Sequence, residues 1–98
     1  MRGRITFHEL AEHELNEAAD YYNSKSEGLG NVFLSEVERA VNQILHYPES
    51  SPCIYRVVRR KLVRRFPYSI MYSVTLDHVR ILAIANQKRR PFYWHDRV

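Results

Sequence analysis

Two basic stretches carry the side chains of this 98-residue chain that could do chemistry. The first runs Arg56-Val57-Val58-Arg59-Arg60-Lys61-Leu62-Val63-Arg64-Arg65; six of its ten residues are Lys or Arg and none is acidic. The second is Lys88-Arg89-Arg90, followed by Pro91-Phe92-Tyr93-Trp94 and then His95, Asp96 and Arg97. Cations beside aromatic rings can hold phosphates and stack bases. They also attract acidic protein segments. A half-buried strand cannot hide six charges, because an unpaired buried charge is very costly. At least one face or edge of the first stretch is therefore expected to be open to water or to an anionic partner. Phe92, Tyr93 and Trp94 fit two roles, a contact surface or a clasp folded back over the end of the core, and the sequence leaves both open.

Other chemistries find little support. The five histidines (His8, His13, His46, His78, His95) and the single Cys53 lack metal-ligand spacing. His8-Glu9 with His13 misses the HExxH pattern by one residue. No metal and no cofactor are expected. No Ser-His-Asp or Cys-His set can be argued, and Gly28-Leu29-Gly30 reads as a turn between helices, not as a phosphate loop.

The elements that must position the basic stretches follow from hydrophobic periodicity. Arg4 to Phe7 reads as a short first strand. From Glu9 the period changes: Ala11, Leu15, Ala18 and Tyr22 make one helical face. Glu9, Glu12 and Glu14 sit in the first turns, where negative charge suits the helix dipole, although no strong N-cap residue precedes them. After the glycine turn, a second helix is predicted from about Asn31 to His46. Its stripe is Phe33, Val37, Ala40, Val41, Ile44 and Leu45, and Pro48 stops it. Helices joined by so short a turn pack as an antiparallel hairpin. The basic strand comes next, then a Phe66-Pro67-Tyr68 corner, a strand from Ser69 to Thr75, a turn at Leu76-Asp77-His78, and a nearly all-apolar strand from Val79 to Ala85. A strand that apolar belongs inside a sheet. The order β-α-α-β-β-β predicts an α+β fold, with the helix hairpin on one face of a mostly antiparallel sheet. The other face must then be polar, oligomerised or occupied. The basic strand and the basic, aromatic tail are expected to meet there.

Length and charge set outer bounds. Residues 1–98 suffice for one domain with a modest core, and an apolar fraction of 45% argues against disorder. Residues 1–50 carry four Lys or Arg against nine Asp or Glu, whereas residues 51–98 carry eleven against two. One cysteine permits no internal disulfide, and neither a signal peptide nor a membrane-length apolar run is visible. A soluble, cytoplasmic protein is expected.

Several segments together resemble the RelE/ParE superfamily of type II toxin–antitoxin toxins, and its ParE or plasmid-stabilisation branch in particular. They are Glu14-Leu15-Asn16-Glu17-Ala18-Ala19-Asp20-Tyr21-Tyr22, Gly28-Leu29-Gly30 with Phe33-Leu34-Ser35-Glu36-Val37, Arg65-Phe66-Pro67-Tyr68-Ser69-Ile70-Met71-Tyr72, and Ile84-Ala85-Asn86 with Arg90-Pro91-Phe92-Tyr93-Trp94. The resemblance implies a toxin neutralised by a cognate antitoxin, a ParD-like or similar small DNA-binding protein. The ParE branch implies DNA gyrase as target, held in its cleaved-DNA state. The RelE branch implies cleavage of messenger RNA on the ribosome. That cleavage needs cations for the developing phosphate charge and groups to move protons. Lys61, Arg64, Arg65, Lys88 and Arg89 could supply the first, and Tyr93 or His95 the second. The nuclease branch often carries an arginine directly after the corner tyrosine, and this chain has Ser69 there. The expectation is thus a non-catalytic gyrase inhibitor that binds its target through Arg60, Arg64, Arg65, Arg89, Arg90, Tyr93, Trp94 and Arg97. An RNA-cutting enzyme and a degenerate toxin that only binds its antitoxin stand as alternatives.

Overall fold

A computed structural model describes residues 4–98. Along the chain run β1 (Arg4–Phe7), α1 (Glu9–Lys25), α2 (Leu29–His46), β2 (Cys53–Tyr55), β3 (Val58–Leu62), β4 (Tyr68–Thr75), β5 (His78–Asn86) and a terminal 3-10 turn (His95–Arg97). The strands form one sheet in the order β1-β5-β4-β3-β2. Among the described residues β1 alone lies parallel to its neighbour; the other pairings are antiparallel. The expected α+β arrangement is present, with the apolar β5 inside the sheet and both helices on one face.

Local chemistry explains the helix ends. The cap that the sequence seemed to lack is His8, whose Nδ1 accepts the Leu10 N–H at 3.0 Å. The helix turn is tighter than its glycines suggested. Gly28 takes the left-handed conformation (φ 86°), so α2 begins at Leu29 and Gly30 falls within its first turn. Gly30 is where the two helices nearly touch: its N–H donates to Asn23 Oδ1 at 2.7 Å, and a Cβ there would collide with the Ala19 carbonyl.

The helix side of the sheet holds the larger core. Phe33, Val37, Ala40 and Ile44 of α2 and Ala11, Ala18 and Ala19 of α1 close over Ile70, Tyr72, Val79, Ile81 and Ile84. Rings fasten the Phe66-Pro67-Tyr68 corner to the hairpin: Phe33 lies 5.1 Å from both Phe66 and Tyr68, and Tyr22 lies 4.9 Å from Phe66. Edge-to-face pairs of this kind add about 0.5–1.5 kcal/mol each beyond the area they bury.

Two departures from the expected strands matter for the site. The basic stretch forms one strand, β3, over Val58–Leu62, but Cys53–Tyr55, in what reads as a loop, adds the short strand β2, which turns at Arg56 (φ 52°) to pair with β3. On β5, Tyr72 opposes Ile81 while Met71 opposes Ala83, so Leu82 is an extra residue. Such a bulge breaks strict alternation. Leu82 and Ala83 both contribute to the core on the side away from the helices, and Ala85 joins them.

Gly30→Ala tests the helix contact. Helix propensity alone would favour alanine by roughly 1 kcal/mol, but forcing a methyl into a packed contact costs about 1–3 kcal/mol. We expect net destabilisation, read as a lowered thermal midpoint; an unchanged or raised midpoint would show that the hairpin has slack there.

Candidate interaction site

The face away from the helices is occupied by the tail. Trp94 is only 2% exposed and packs with Val58, Met71, Leu82, Ala83 and Ala85. Its ring stands 5.8 Å from Tyr55 and 5.7 Å from Phe92, which are themselves 5.6 Å apart. Phe92 has φ 62°, a conformation costly for a bulky residue, and the three-ring cluster holds it there.

One carboxylate fastens this tail. Glu14 Oε1 accepts the Ile84 N–H at 3.0 Å and Arg97 Nη1 at 3.1 Å. Its Oε2 accepts the Tyr93 hydroxyl and Arg97 Nη2, both at 2.9 Å. Arg97 Nη1 also donates to the Leu82 carbonyl at 3.1 Å. β1 pairs with β5 only as far as Ile81, so Leu82 and Ile84 turn unpaired backbone groups toward the place where that strand has ended. Glu14 and Arg97 supply the acceptor and the donor that a longer β1 would have given. The Glu14 and Arg97 side chains are 12% and 9% exposed.

Burial is the larger cause that pushes the Tyr93 hydroxyl well above its ordinary pKa, and the Glu14 carboxylate adds to it. Burial would lower the Arg97 pKa, but the Glu14 hydrogen bonds and charge outweigh it, and the net direction is up. Tyr93 therefore keeps its proton at neutral pH and donates a hydrogen bond through it to a carboxylate already in place.

Between the tail and the sheet lies a pocket of about 180 Å³. Ile54, Met71, Ala85 and Trp94 make its apolar surface; Ser69, Asn86 and Gln87 add polar groups; among the described residues Arg60, Arg89 and Arg90 are its cations, and no acidic residue lines it. Strand alternation selects the first of these cations. Arg60 pairs with Met71 on the tail side, whereas Arg59 and Lys61 pair with Tyr72 and Ile70 on the helix side.

The residues expected to act together thus separate into groups. Arg60, Arg89, Arg90, Tyr93 and Trp94 converge on the pocket. Trp94 does so from the core, as a clasp, and so does not offer a free ring to a partner. Arg97 is withdrawn into its pair with Glu14. Arg64 and Arg65 are exposed on the turn between β3 and β4, and Arg65 leans toward Glu36 of α2 at 4.0 Å. Lys61 lies on the helix side, and Lys88 is exposed on the turn after β5. His95 is exposed, its Nδ1 3.0 Å from the Phe92 carbonyl. Arg59 is structural, donating to the carbonyls of Glu49 and Ser51 at 3.1 and 2.6 Å.

Sequence reasoning missed Glu14, which looked like one more dipole-compensating acid. A signal was present: Glu14 falls three residues after Ala11 and four before Ala18, on the buried stripe, where a carboxylate needs a partner.

The family model for the ParE toxin of the type II toxin–antitoxin system parDE matches residues 5–91. The chain belongs to the ParE toxin family. Among solved structures, a chain from a chromosomal ParDE toxin–antitoxin system of P. aeruginosa is similar with a TM-score of 0.76 at 17% identity, over 87% of this chain and 96% of that one. At that identity the likeness speaks for the fold. No curated protein matches. The family match ends before Tyr93, Trp94 and Arg97, so it assigns the clasp no role.

Removing one partner of a buried pair costs about 3–5 kcal/mol. Arg97→Ala and Glu14→Ala should each lose roughly that much in denaturant unfolding, with Trp94 emission shifting to the red; wild-type emission and stability would show the knot to be dispensable. Tyr93 also sets an alkaline limit. Its pKa is raised from 10.0 in the folded chain, so above that pH the unfolded chain releases a proton that the folded chain keeps, and stability falls as pH rises. Tyr93→Phe should flatten this alkaline slope.

Proposed function

We propose that this toxin acts by binding and poisoning DNA gyrase, stabilising its cleaved-DNA state, and that a ParD-like antitoxin neutralises it. Family membership supports a toxin with an antitoxin partner. The observation that carries the choice against RNA cutting is the dispersal of the candidate catalytic groups. Arg89 does stand beside Tyr93, over its ring at 3.8 Å, but Lys61 and Arg65 lie on the helix side and its turn, whereas Tyr93 and His95 belong to the tail on the opposite side. Tyr93 has its hydroxyl committed to Glu14 and its pKa raised, which suits neither the base nor the acid of a cleavage step at neutral pH. Proximity is a large share of any such rate, and this arrangement supplies little. The working surface for the target is then Arg60, Arg89 and Arg90 around the pocket, with Arg64 and Arg65 on the neighbouring turn.

Two assays test this reading. Purified protein mixed with gyrase and supercoiled plasmid should trap linear DNA, and the same protein added to translating ribosomes should leave a mapped message without codon-periodic ends. The opposite pattern would establish the nuclease reading; inactivity in both, with tight antitoxin binding, would establish a toxin that has lost its target. Alanine at Arg60, Arg89 and Arg90 together should reduce trapping by tenfold or more, since losing even one charge-assisted contact costs about 1.5–3 kcal/mol. Ser69→Arg should not create RNA cutting. Ser69 is buried and lines the pocket, so an arginine there would fill the site without gathering the remaining groups. Antitoxin binding should weaken at high salt, because the sheet's exposed charge is positive.

A further inference from the structure

We infer that the pocket between the tail and the sheet is a receptor for a carboxylate side chain carried on an acidic peptide segment of a partner protein. Three arginines border it and, among the described residues, no acid does. Guanidinium forks fit carboxylates and phosphates alike, so the remaining walls must decide between them. Recognition of a nucleic-acid strand leans on open ring faces that stack bases. Of the three rings that line the pocket, only Phe92 keeps an exposed part, and a single ring gives no platform for successive bases. Arg89 covers the Tyr93 ring at 3.8 Å, and Trp94 is buried against Tyr55 and Phe92.

What the pocket does offer suits a peptide. Its volume of about 180 Å³ takes one or two side chains. Leu62, 59% exposed, lies on the same side of β3 as Arg60 and is paired in register with Ser69 of the pocket. Phe92, 45% exposed, stands at the other wall. An aspartate or glutamate flanked by aliphatic residues would place its charge among Arg60, Arg89 and Arg90 and its neighbours on Leu62 and Phe92. The ring contacts of Phe92 with Tyr55 and Trp94 hold that wall in position.

The inference rests on the reading that this chain works through a protein partner rather than by cutting RNA. A displayed library of random peptides, selected on the full-length protein, tests it directly. Trp94 is the only tryptophan and lines the pocket, so its emission reports occupancy. Winning peptides should be enriched in Asp or Glu beside Leu, Ile or Val, should change Trp94 emission, and should bind the Arg60→Ala/Arg90→Ala variant about tenfold or more weakly. Both arginines are exposed, so that variant should melt like the parent; if it does not, charge-inverted versions of the winning peptides, which must fail to bind the unaltered protein, carry the test instead. Winners without acidic enrichment, or equal binding to a folded double variant, would overturn the inference. So would a single-stranded oligothymidylate that moves Trp94 emission at lower concentration than the best peptide. Gyrase trapping without acidic winners would remove the pocket's role and leave the proposed target standing. Acidic winners without gyrase trapping would do the reverse.

Discussion

The carboxylate of Glu14 holds together three parts of the chain. It sits on α1, takes a backbone N–H from β5, and receives the guanidinium and the phenol of the tail. The need for it arises from a mismatch of lengths. β5 spans nine residues and β1 four, so part of an internal strand would carry unpaired backbone groups beside a helix. Buried backbone groups left without partners cost about 1–3 kcal/mol each. A carboxylate and a guanidinium can satisfy a donor and an acceptor on the strand while neutralising each other. Without Arg97, Glu14 would be a nearly buried lone charge; without Glu14, Arg97 would be one. The pair is therefore a constraint on the fold more than a source of net stability.

Once the tail is fixed, the division of the positive charges follows from geometry. Successive residues of β3 face opposite sides of the sheet, which sends Arg60 to the tail side and Arg59 and Lys61 to the other. Arg59 is consumed in holding the loop after α2. Arg97 is consumed in the knot, and Arg89 is partly spent on the Tyr93 ring. A count of cations in the sequence thus overstates how many are available to a partner. The pocket keeps Arg60, Arg89 and Arg90 because, among the described residues, nothing acidic lies within its walls.

The helices, the glycine turn, the corner at Pro67 and the internal position of β5 were legible because each depends on a local signal: a 3.6-residue stripe, a residue free to take positive φ, a proline, a run of apolar side chains. The turn at Arg56 and the bulge at Leu82 were not, since neither residue is a glycine or proline: Arg56 closes the tight β2–β3 pairing, and Leu82 is set by the register of β5 against β4. The site was legible in part. The two basic stretches do approach each other, but which side each cation faces depends on register, which the basic stretch alone does not fix. The rings at 92–94 split between the two roles the sequence left open. Trp94 closes the core, Phe92 remains half outside, and Tyr93 lies between them with its hydroxyl turned inward.

The dependence of the pocket on the knot has a consequence for how damage should spread. Half of the pocket wall is tail, and the tail is held by one aromatic cluster and one carboxylate on a helix on the other side of the sheet. Arg89 and Arg90 owe their positions to the chain between Asn86 and Tyr93, whose far end is tethered by Glu14. A change on α1 that weakens this carboxylate therefore reaches the pocket without touching it, by freeing one wall. A change at Arg60 does not, because β3 is held by its own ladder to β4. Stability and recognition are thus coupled on the tail side of the pocket and separable on the strand side. That asymmetry follows from covering the second face of the sheet with a short tail rather than with another helix.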